Sequence, residues 1–314
     1  MILSRRAFGL GALASMPVVL GLAAARRDPQ IGVQTVSWRD MLGTPGDMVD
    51  KDVAATREVG LQTVELFEAT ILPWELVKAT MASPETLAAI YGSPATLTDE
   101  HRALREKLRD WRLATPIQYF TDIRRKFAQA GIRVQAFNFV LKDYCTDAEV
   151  EWALAATRAL GTDVMTASTT LSMAKRCVHA FESHRIRLGL HGHTNVADPN
   201  ELSSPETFLQ GLGLSPLYCV NLDIGHFSAA GFDCIDFMRR HHERIVSIHV
   251  KDRKKNNGPD VPLGTGDTPV AAVLRLIRDN NWPIPAIIEY EYKGGPSVPA
   301  VKECLAYIRS VLRE

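Results

Sequence analysis

Short runs of alternating apolar and polar residues recur along the chain, and segments with helical periodicity separate them. Side chains alternate between the two faces of a strand, so residues two apart share a face. Strand candidates occupy residues 31–36, 63–67, 133–139, 163–167, 187–191, 218–223, 245–250 and 286–290. Helical patterns between them include 47–59, 148–160, 269–279 and 298–312. This alternation predicts an α/β fold with a parallel sheet.

Eight strands in this order fit a (β/α)8 TIM barrel. Segment 69–119 is too long for a plain crossover and contains Pro73, Pro84, Pro94 and Pro116. We therefore expect a helical insertion between strands 2 and 3, over the mouth of the barrel. Two roles are open for it: a lid that excludes water from the site, or a segment that is structural or contacts a partner in a dimer. Segment 254–267 is rich in Gly, Asn, Lys and Pro and is typical of a flexible loop at the active face.

The last four strand candidates share one further feature. In each, one face is apolar, and the other is small and then ionisable at its C-terminal end, at His191, Asp223, His249 and Glu289. A single residue of this kind is usually solvated or bonded to backbone, but four successive strand ends predict a common site at the top of the barrel. Buried ionised groups need compensation, which a divalent cation provides. Two nitrogen and two oxygen ligands suit Mn²⁺ or Zn²⁺, and also Co²⁺ or Fe²⁺, better than Mg²⁺.

The first 25 residues are predicted to be a twin-arginine signal peptide. Arg5 and Arg6 precede an apolar stretch that ends in Ala23-Ala24-Ala25, a small-residue cleavage site. Gly9, Gly11, Pro17 and Gly21 make that stretch a poor membrane span. Residues 26–314 would then form the barrel domain, in the periplasm.

Removing the leader takes two of the 36 basic residues and none of the 36 acidic ones, which leaves 34 against 36, or a net charge of −2. The chain has no excess of basic residues that would indicate binding to nucleic acid. Five cysteines lack a Cys-x-x-Cys pair, so burial as small hydrophobic residues is expected. Neither a Gly-x-Ser-x-Gly elbow nor a dinucleotide fingerprint is present. The expected partner is a small carbohydrate, and a homo-oligomer is compatible with the sequence.

Several motifs resemble one known family. Leu222-Asp223-Ile224-Gly225-His226, Ile248-His249-Val250-Lys251-Asp252-Arg253 and Ile288-Glu289-Tyr290-Glu291 are similar to the sugar phosphate isomerase/epimerase family with the xylose isomerase-like barrel. The similarity covers essentially all of residues 26–314 and is most specific in the second half. It implies a divalent metal held by Glu, Asp, His and Glu from strands five to eight, with the two glutamates also moving protons.

One position departs from that pattern. Asp223, His249 and Glu289 match the family's ligands, but its Glu-Asn-His sequence on strand five is His191-Gly192-His193 here. An imidazole at His191 can still ligate the metal, but it replaces a carboxylate that often acts as one of two bases. The sequence therefore disfavours an epimerase mechanism in which two glutamates act as bases on opposite faces of the sugar.

The expected chemistry is proton abstraction next to a carbonyl, through an enediolate, on an unphosphorylated sugar or keto-sugar. Glu289 and His193 are candidate bases, and His193 is alternatively a residue that orients a ligand. Lys251 is a candidate electrophile or acid, or else forms a salt bridge to Asp252 or Glu291. The candidate substrate-binding residues, some of which core packing explains equally well, are His226, Glu65, Trp38 and Phe137.

Three functions remain open from the sequence. The first is a metal-dependent sugar isomerase or epimerase, which fits the family. The second is a 3-keto-glycoside lyase or hydratase acting by β-elimination, which agrees with the missing glutamate and with export away from phosphorylated sugars. The third is a catalytically silent sugar-binding protein.

Overall fold

The computed structural model describes residues 27–43, 46–92 and 97–314. The predicted leader at residues 1–25 lies outside this part of the chain. Eight parallel strands close into a barrel in which each strand pairs with its neighbours in sequence, and the first pairs with the last. They are β1 (Ile31–Gln34), β2 (Thr63–Phe67), β3 (Arg133–Asn138), β4 (Val164–Ser168), β5 (Arg187–His191), β6 (Tyr218–Asp223), β7 (Ile245–Val250) and β8 (Ala286–Ile288). The predicted (β/α)8 TIM barrel is confirmed.

The helices surround the barrel. They are α1 (Met48–Val59), α2 (Trp74–Thr80), α3 (Pro84–Tyr91), α4 (Asp99–Ala114), α5 (Ile117–Gln129), α6 (Asp147–Ala159), α7 (Leu171–His184), α8 (Pro205–Leu212), α9 (Ile224–Ala229), α10 (Cys234–His241), α11 (Val270–Asp279) and α12 (Ser297–Arg313). Short 3₁₀ segments lie at Thr35–Gly43, Glu68–Ile71 and His242–Arg244. Within the described part of the chain, none of these helices combines the length and apolarity needed to cross a bilayer.

Helices α2, α3 and α4 lie between β2 and α5, in the region of the expected insertion. Arg112 on α4 is almost fully buried and bonds both oxygens of Glu68, at 2.6 and 2.8 Å, just beyond β2. Its third nitrogen lies 2.7 Å from Glu149, the residue that completes the capping box of α6. The cluster of Arg112, Glu68 and Glu149 therefore ties α4 to the barrel.

The barrel interior is layered. Its lowest layer is apolar and contains Ala136, Val164, Cys219 and Val246. Strict alternation places Val246 outside, but the register between β6 and β7 shifts after Val220, and this β-bulge turns Val246 inward beside Ser247. That part of the alternation is wrong for this reason. All five cysteines are buried free thiols, as expected.

Candidate active site

The four predicted ligands come together at the C-terminal end of the barrel. His191 and Asp223 end β5 and β6, His249 lies near the end of β7, and Glu289 directly follows β8. One donor atom each of His191, Asp223 and His249 lies within 4.8 Å of the others. His249 Nδ1 is 3.1 Å from Glu289 Oε2. The parity of the strands therefore identified residues that share one small volume.

The contacts on the far side of each ligand leave a donor atom facing the site. His191 Nδ1 bonds Asn221 Oδ1 at 2.7 Å, so its Nε2 is available. His249 Nε2 bonds Glu65 Oε1 at 3.0 Å, which turns Nδ1 toward Glu289. Asp223 Oδ2 is buried and accepts no hydrogen bond from any described residue. These imidazole and carboxylate donors fit a divalent cation.

Lys251 lies in the same group of charges. Its ammonium is 2.8 Å from Glu289 Oε2 and 3.2 Å from Asp223 Oδ2, and it also contacts Glu291. Burial alone would lower the pKa of Lys251, but these three carboxylates raise it well above its usual value. Of the two salt bridges considered from the sequence, the one to Glu291 is present. Lys251 thus remains a cation beside the candidate ligands.

The pKa of Glu289 is perturbed in the opposite direction. Burial favours the neutral acid, yet Lys251 and His249 together hold the pKa of Glu289 well below its usual value. Such a carboxylate stays ionised and can serve as a metal ligand.

His193 has a different environment. Its ring packs edge-on against His191, with centroids 5.0 Å apart, and makes no hydrogen bond to any residue in the described ranges. Burial, followed by the nearby His191, His226 and Lys142, lowers the pKa of His193 well below its usual value. A neutral imidazole facing the cavity can accept a proton.

His226 is fixed by a neighbouring cation. Arg253 Nη1 lies 2.6 Å from His226 Nδ1. A guanidinium only donates, so Nδ1 accepts from Arg253, and the other ring nitrogen, Nε2, lies 3.3 Å from Lys251 Nζ and 3.5 Å from Asp223 Oδ2. His226 therefore lies on the cavity wall between two cations and the carboxylate of Asp223.

The other three substrate-binding candidates do not line the cavity. Trp38 is fully buried in the core. Phe137 is also fully buried, because Ala136 and Asn138 take the inward positions of β3, and it packs between Phe120 and Phe139. Glu65 lies inside the barrel below the ligands. All three side chains are buried away from the cavity, in contrast to the substrate contact expected from the sequence.

A cavity of about 500 Å³ opens above the ligands. Its wall includes His191, His193, His226 and Glu289, together with Met81, Leu87 and Tyr91 from the segment between β2 and α4. Sequence reasoning missed Lys142 and Glu201, which line the cavity and pair with each other at 3.1 Å. Both lie in loops, where no periodic pattern marks them. Asn138, also on the wall, was recognisable as the inward residue that ends β3.

An outer cleft of about 1050 Å³ adjoins this cavity. The two spaces share Arg39, Met81, Leu87 and Glu291, and Arg39 Nη1 contacts Glu291 Oε1 at 3.1 Å. Trp74 from α2 and Tyr292 after β8 contribute aromatic surface to the cleft. The inner cavity therefore continues outward between the insertion and the loop after β8.

The loop at 254–267 lies at this face but is held in place. Asp252 Oδ2 accepts hydrogen bonds from the backbone nitrogens of Gly264 and Gly266, at 2.8 and 2.9 Å. Its Oδ1 accepts a third from Thr268 N at 3.2 Å. Asp252 thus restrains a loop that composition alone marks as flexible.

Residues 53–311 match the profile of the xylose isomerase-like TIM barrel family. This match covers most of the chain, and the protein belongs to that family. No curated protein gives a significant match.

Solved structures share the fold at low sequence identity. A sugar phosphate isomerase/epimerase from Parabacteroides distasonis is 16% identical with a TM-score of 0.57, covering 93% of this chain and 97% of its own. The IolI protein, whose structure holds a zinc atom, is 13% identical with a TM-score of 0.60, covering 90% and 98%. The 3-keto-D-glucoside 4-epimerase of E. coli is 10% identical with a TM-score of 0.59, covering 90% and 99%.

Proposed function

We propose that this protein is a divalent-metal-dependent isomerase or epimerase acting on an unphosphorylated sugar or keto-sugar. The observation that carries the proposal is the convergence of His191, Asp223, His249 and Glu289 on one side of a cavity whose wall also holds the neutral His193. A cation held by those four residues would polarise a carbonyl and a neighbouring hydroxyl and so acidify the adjacent C–H. The zinc atom in the IolI structure supports a divalent metal ion at this position.

We assign the base to His193 and the ligand role to Glu289. Proton abstraction needs an unprotonated group that has a free lone pair and faces the substrate. The carboxylate of Glu289 is committed to His249 and Lys251, at 3.1 and 2.8 Å. His193 faces the cavity and has no competing hydrogen bond within the described residues.

Two further residues have supporting roles. The ammonium of Lys251 stabilises negative charge that develops on a substrate oxygen near Glu289. The imidazole of His226, which lines the cavity, binds a substrate hydroxyl.

A 3-keto-glycoside lyase or hydratase is the second candidate. The specific observation in its favour is the outer cleft, which joins the inner cavity at Arg39 and Glu291 and offers room for an aglycone. The imidazole of His191, at the position of the family's second glutamate, also suits one-sided elimination better than proton transfer on two faces.

One experiment separates the candidates. Protein loaded with Mn²⁺ or Zn²⁺ is incubated in deuterated water with free keto-sugars and with aryl 3-keto-glycosides. Deuterium uptake without aglycone release supports the isomerase or epimerase, and release supports the lyase. Binding without either reaction would contradict both and favour a silent sugar-binding protein.

The twin-arginine pattern at Arg5 and Arg6 supports export to the periplasm as part of the same proposal. Replacing both with Lys should leave the protein in the cytoplasm in a fractionation experiment. Unchanged export would contradict the twin-arginine route.

A further inference from the structure

We propose that Glu65 is a positioning residue that orients two of the proposed metal ligands, His249 directly and His191 through Asn221. This inference rests on the metal site proposed above. It replaces the substrate contact expected from the sequence, because Glu65 is fully buried within the barrel and does not reach the cavity.

The direct contact fixes the ring of His249. Glu65 Oε1 lies 3.0 Å from His249 Nε2. A carboxylate only accepts hydrogen bonds, so Nε2 carries a proton that Glu65 holds, and Nδ1, which would give up its own hydrogen bond to Glu289 on metal binding, is the nitrogen that can take a metal. That nitrogen lies 3.1 Å from Glu289 Oε2, on the side of the other ligands. Carboxylates that hold the far nitrogen of a ligating histidine set both its tautomer and its orientation.

The indirect contact runs through an amide. Asn221 Nδ2 donates to Glu65 Oε2 at 3.2 Å, which fixes which end of the amide faces Glu65. The amide oxygen therefore faces His191 Nδ1, at 2.7 Å. His191 is left with a proton on Nδ1 and a free Nε2 toward Asp223 and His249. One carboxylate thus sets the tautomers of both ligating histidines.

A buried carboxylate is costly unless donors surround it. Glu65 Oε1 also accepts from Gln34 Nε2 at 3.0 Å, Asn138 Nδ2 at 3.2 Å and Thr166 Oγ1 at 2.8 Å. These groups come from β1, β3 and β4, whereas Asn221 and His249 come from β6 and β7. The network keeps Glu65 ionised and fixed relative to most of the barrel.

The amide of a glutamine cannot reproduce this arrangement. Glu65→Gln keeps the size of the side chain but offers one oxygen where the carboxylate offers two. Either His249 Nε2–H or Asn221 Nδ2 then faces an NH₂ group, and one histidine loses its orientation. Loss of such a contact typically weakens metal binding about 10- to 100-fold.

The test is a titration of the purified protein with Co²⁺, followed by its visible absorption, with Zn²⁺ competition to obtain affinities. We expect Glu65→Gln to bind about 10- to 100-fold more weakly than wild type and with an altered Co²⁺ spectrum. The matched control is Glu68→Gln, which changes another fully buried glutamate that pairs with Arg112 and not with a ligand. It should bind with wild-type affinity and spectrum, even though it loses stability.

Asn221→Ser provides a second variant should Glu65→Gln fold poorly, because it releases His191 and leaves the contact of Glu65 with His249 in place. It should also weaken binding. Wild-type affinity and spectrum in folded Glu65→Gln or Asn221→Ser would overturn the positioning role and leave the metal site standing. Failure of the wild-type protein to bind Co²⁺ or Zn²⁺ would overturn the metal site, and the positioning role with it.

Discussion

Replacing Arg112 should destabilise the protein far more than an ordinary arginine substitution. Arg112→Met keeps an apolar side chain but removes the guanidinium, whose Cζ lies 4.9 Å from the centre of the Phe139 ring. It leaves two carboxylates, those of Glu68 and Glu149, buried without their main partner. Their side chains are 0% and 2% exposed.

The magnitude follows from the hydrogen bonds that the substitution removes. Arg112 makes three charged hydrogen bonds, of 2.6, 2.8 and 2.7 Å. Each is worth about 1.5 to 3 kcal/mol. Protonation and relaxation of the carboxylates recover part of that sum, and breaking a buried pair from one side typically costs about 3 to 5 kcal/mol. We expect a loss of this size in the free energy of unfolding, and a Tm lower by roughly 10 °C.

The assay is urea and thermal unfolding followed by circular dichroism. The matched control is Arg102→Met on the same helix, whose partner Asp99 is 94% exposed and whose loss should cost about 0 to 1 kcal/mol. Equal midpoints for the two variants would refute the claim that the buried cluster anchors α4.

The pH dependence adds a second check on the same variant. Burial already raises the pKa of Glu68 even though Arg112 opposes the shift. Without Arg112 the folded-state pKa rises further above the unfolded value, so stability is retained at low pH and lost as the pH rises. The deficit of Arg112→Met relative to wild type should therefore be smaller near pH 5 than near pH 8. A deficit that grows on acidification would contradict this expectation.

Three further outcomes are expected. Asp52 is fully buried, and burial raises its pKa well above the usual value, so folding becomes less favourable as the pH rises above about 4. Asp52→Asn should therefore stabilise the protein by about 1 to 3 kcal/mol at pH 7 in urea unfolding, and by little at pH 4. Equal effects at both pH values would refute this. Asp252→Ala should speed amide hydrogen exchange in 260–268 about 10- to 100-fold, since it removes the oxygens that accept from Gly264, Gly266 and Thr268. Unchanged exchange would show that the loop is held by other contacts. His193→Gln should slow substrate deuterium exchange about 10²- to 10⁴-fold with metal affinity retained, and a wild-type rate would exclude His193 as the base.

The strand alternation predicted more of the site than of the surrounding cavity. It placed His191, Asp223, His249 and Glu289 at the same end of the barrel because a two-residue period is a local property of each strand. Alternation does not reveal how deep a residue lies, and Glu65, a candidate wall residue by sequence, lies below the ligands. Phe137 lies on the outer face of β3, as the parity of its neighbours Ala136 and Asn138 indicates.

Other features depend on contacts between distant segments. The bulge at Val246 arises from the register between β6 and β7, which neither strand specifies alone. Lys142 and Glu201 meet across a gap of 59 residues in sequence. Arg112 likewise joins segments that no local pattern connects. Such pairings are determined by how the barrel and its insertion pack together.

The central claim is that His191, Asp223, His249 and Glu289 hold one divalent cation. It is tested most directly by anomalous diffraction from crystals of the protein soaked with Mn²⁺ or Zn²⁺. We expect a single strong anomalous peak bonded to His191 Nε2, His249 Nδ1 and the two carboxylates. An ordered site with no peak among these four residues after soaking would contradict the claim.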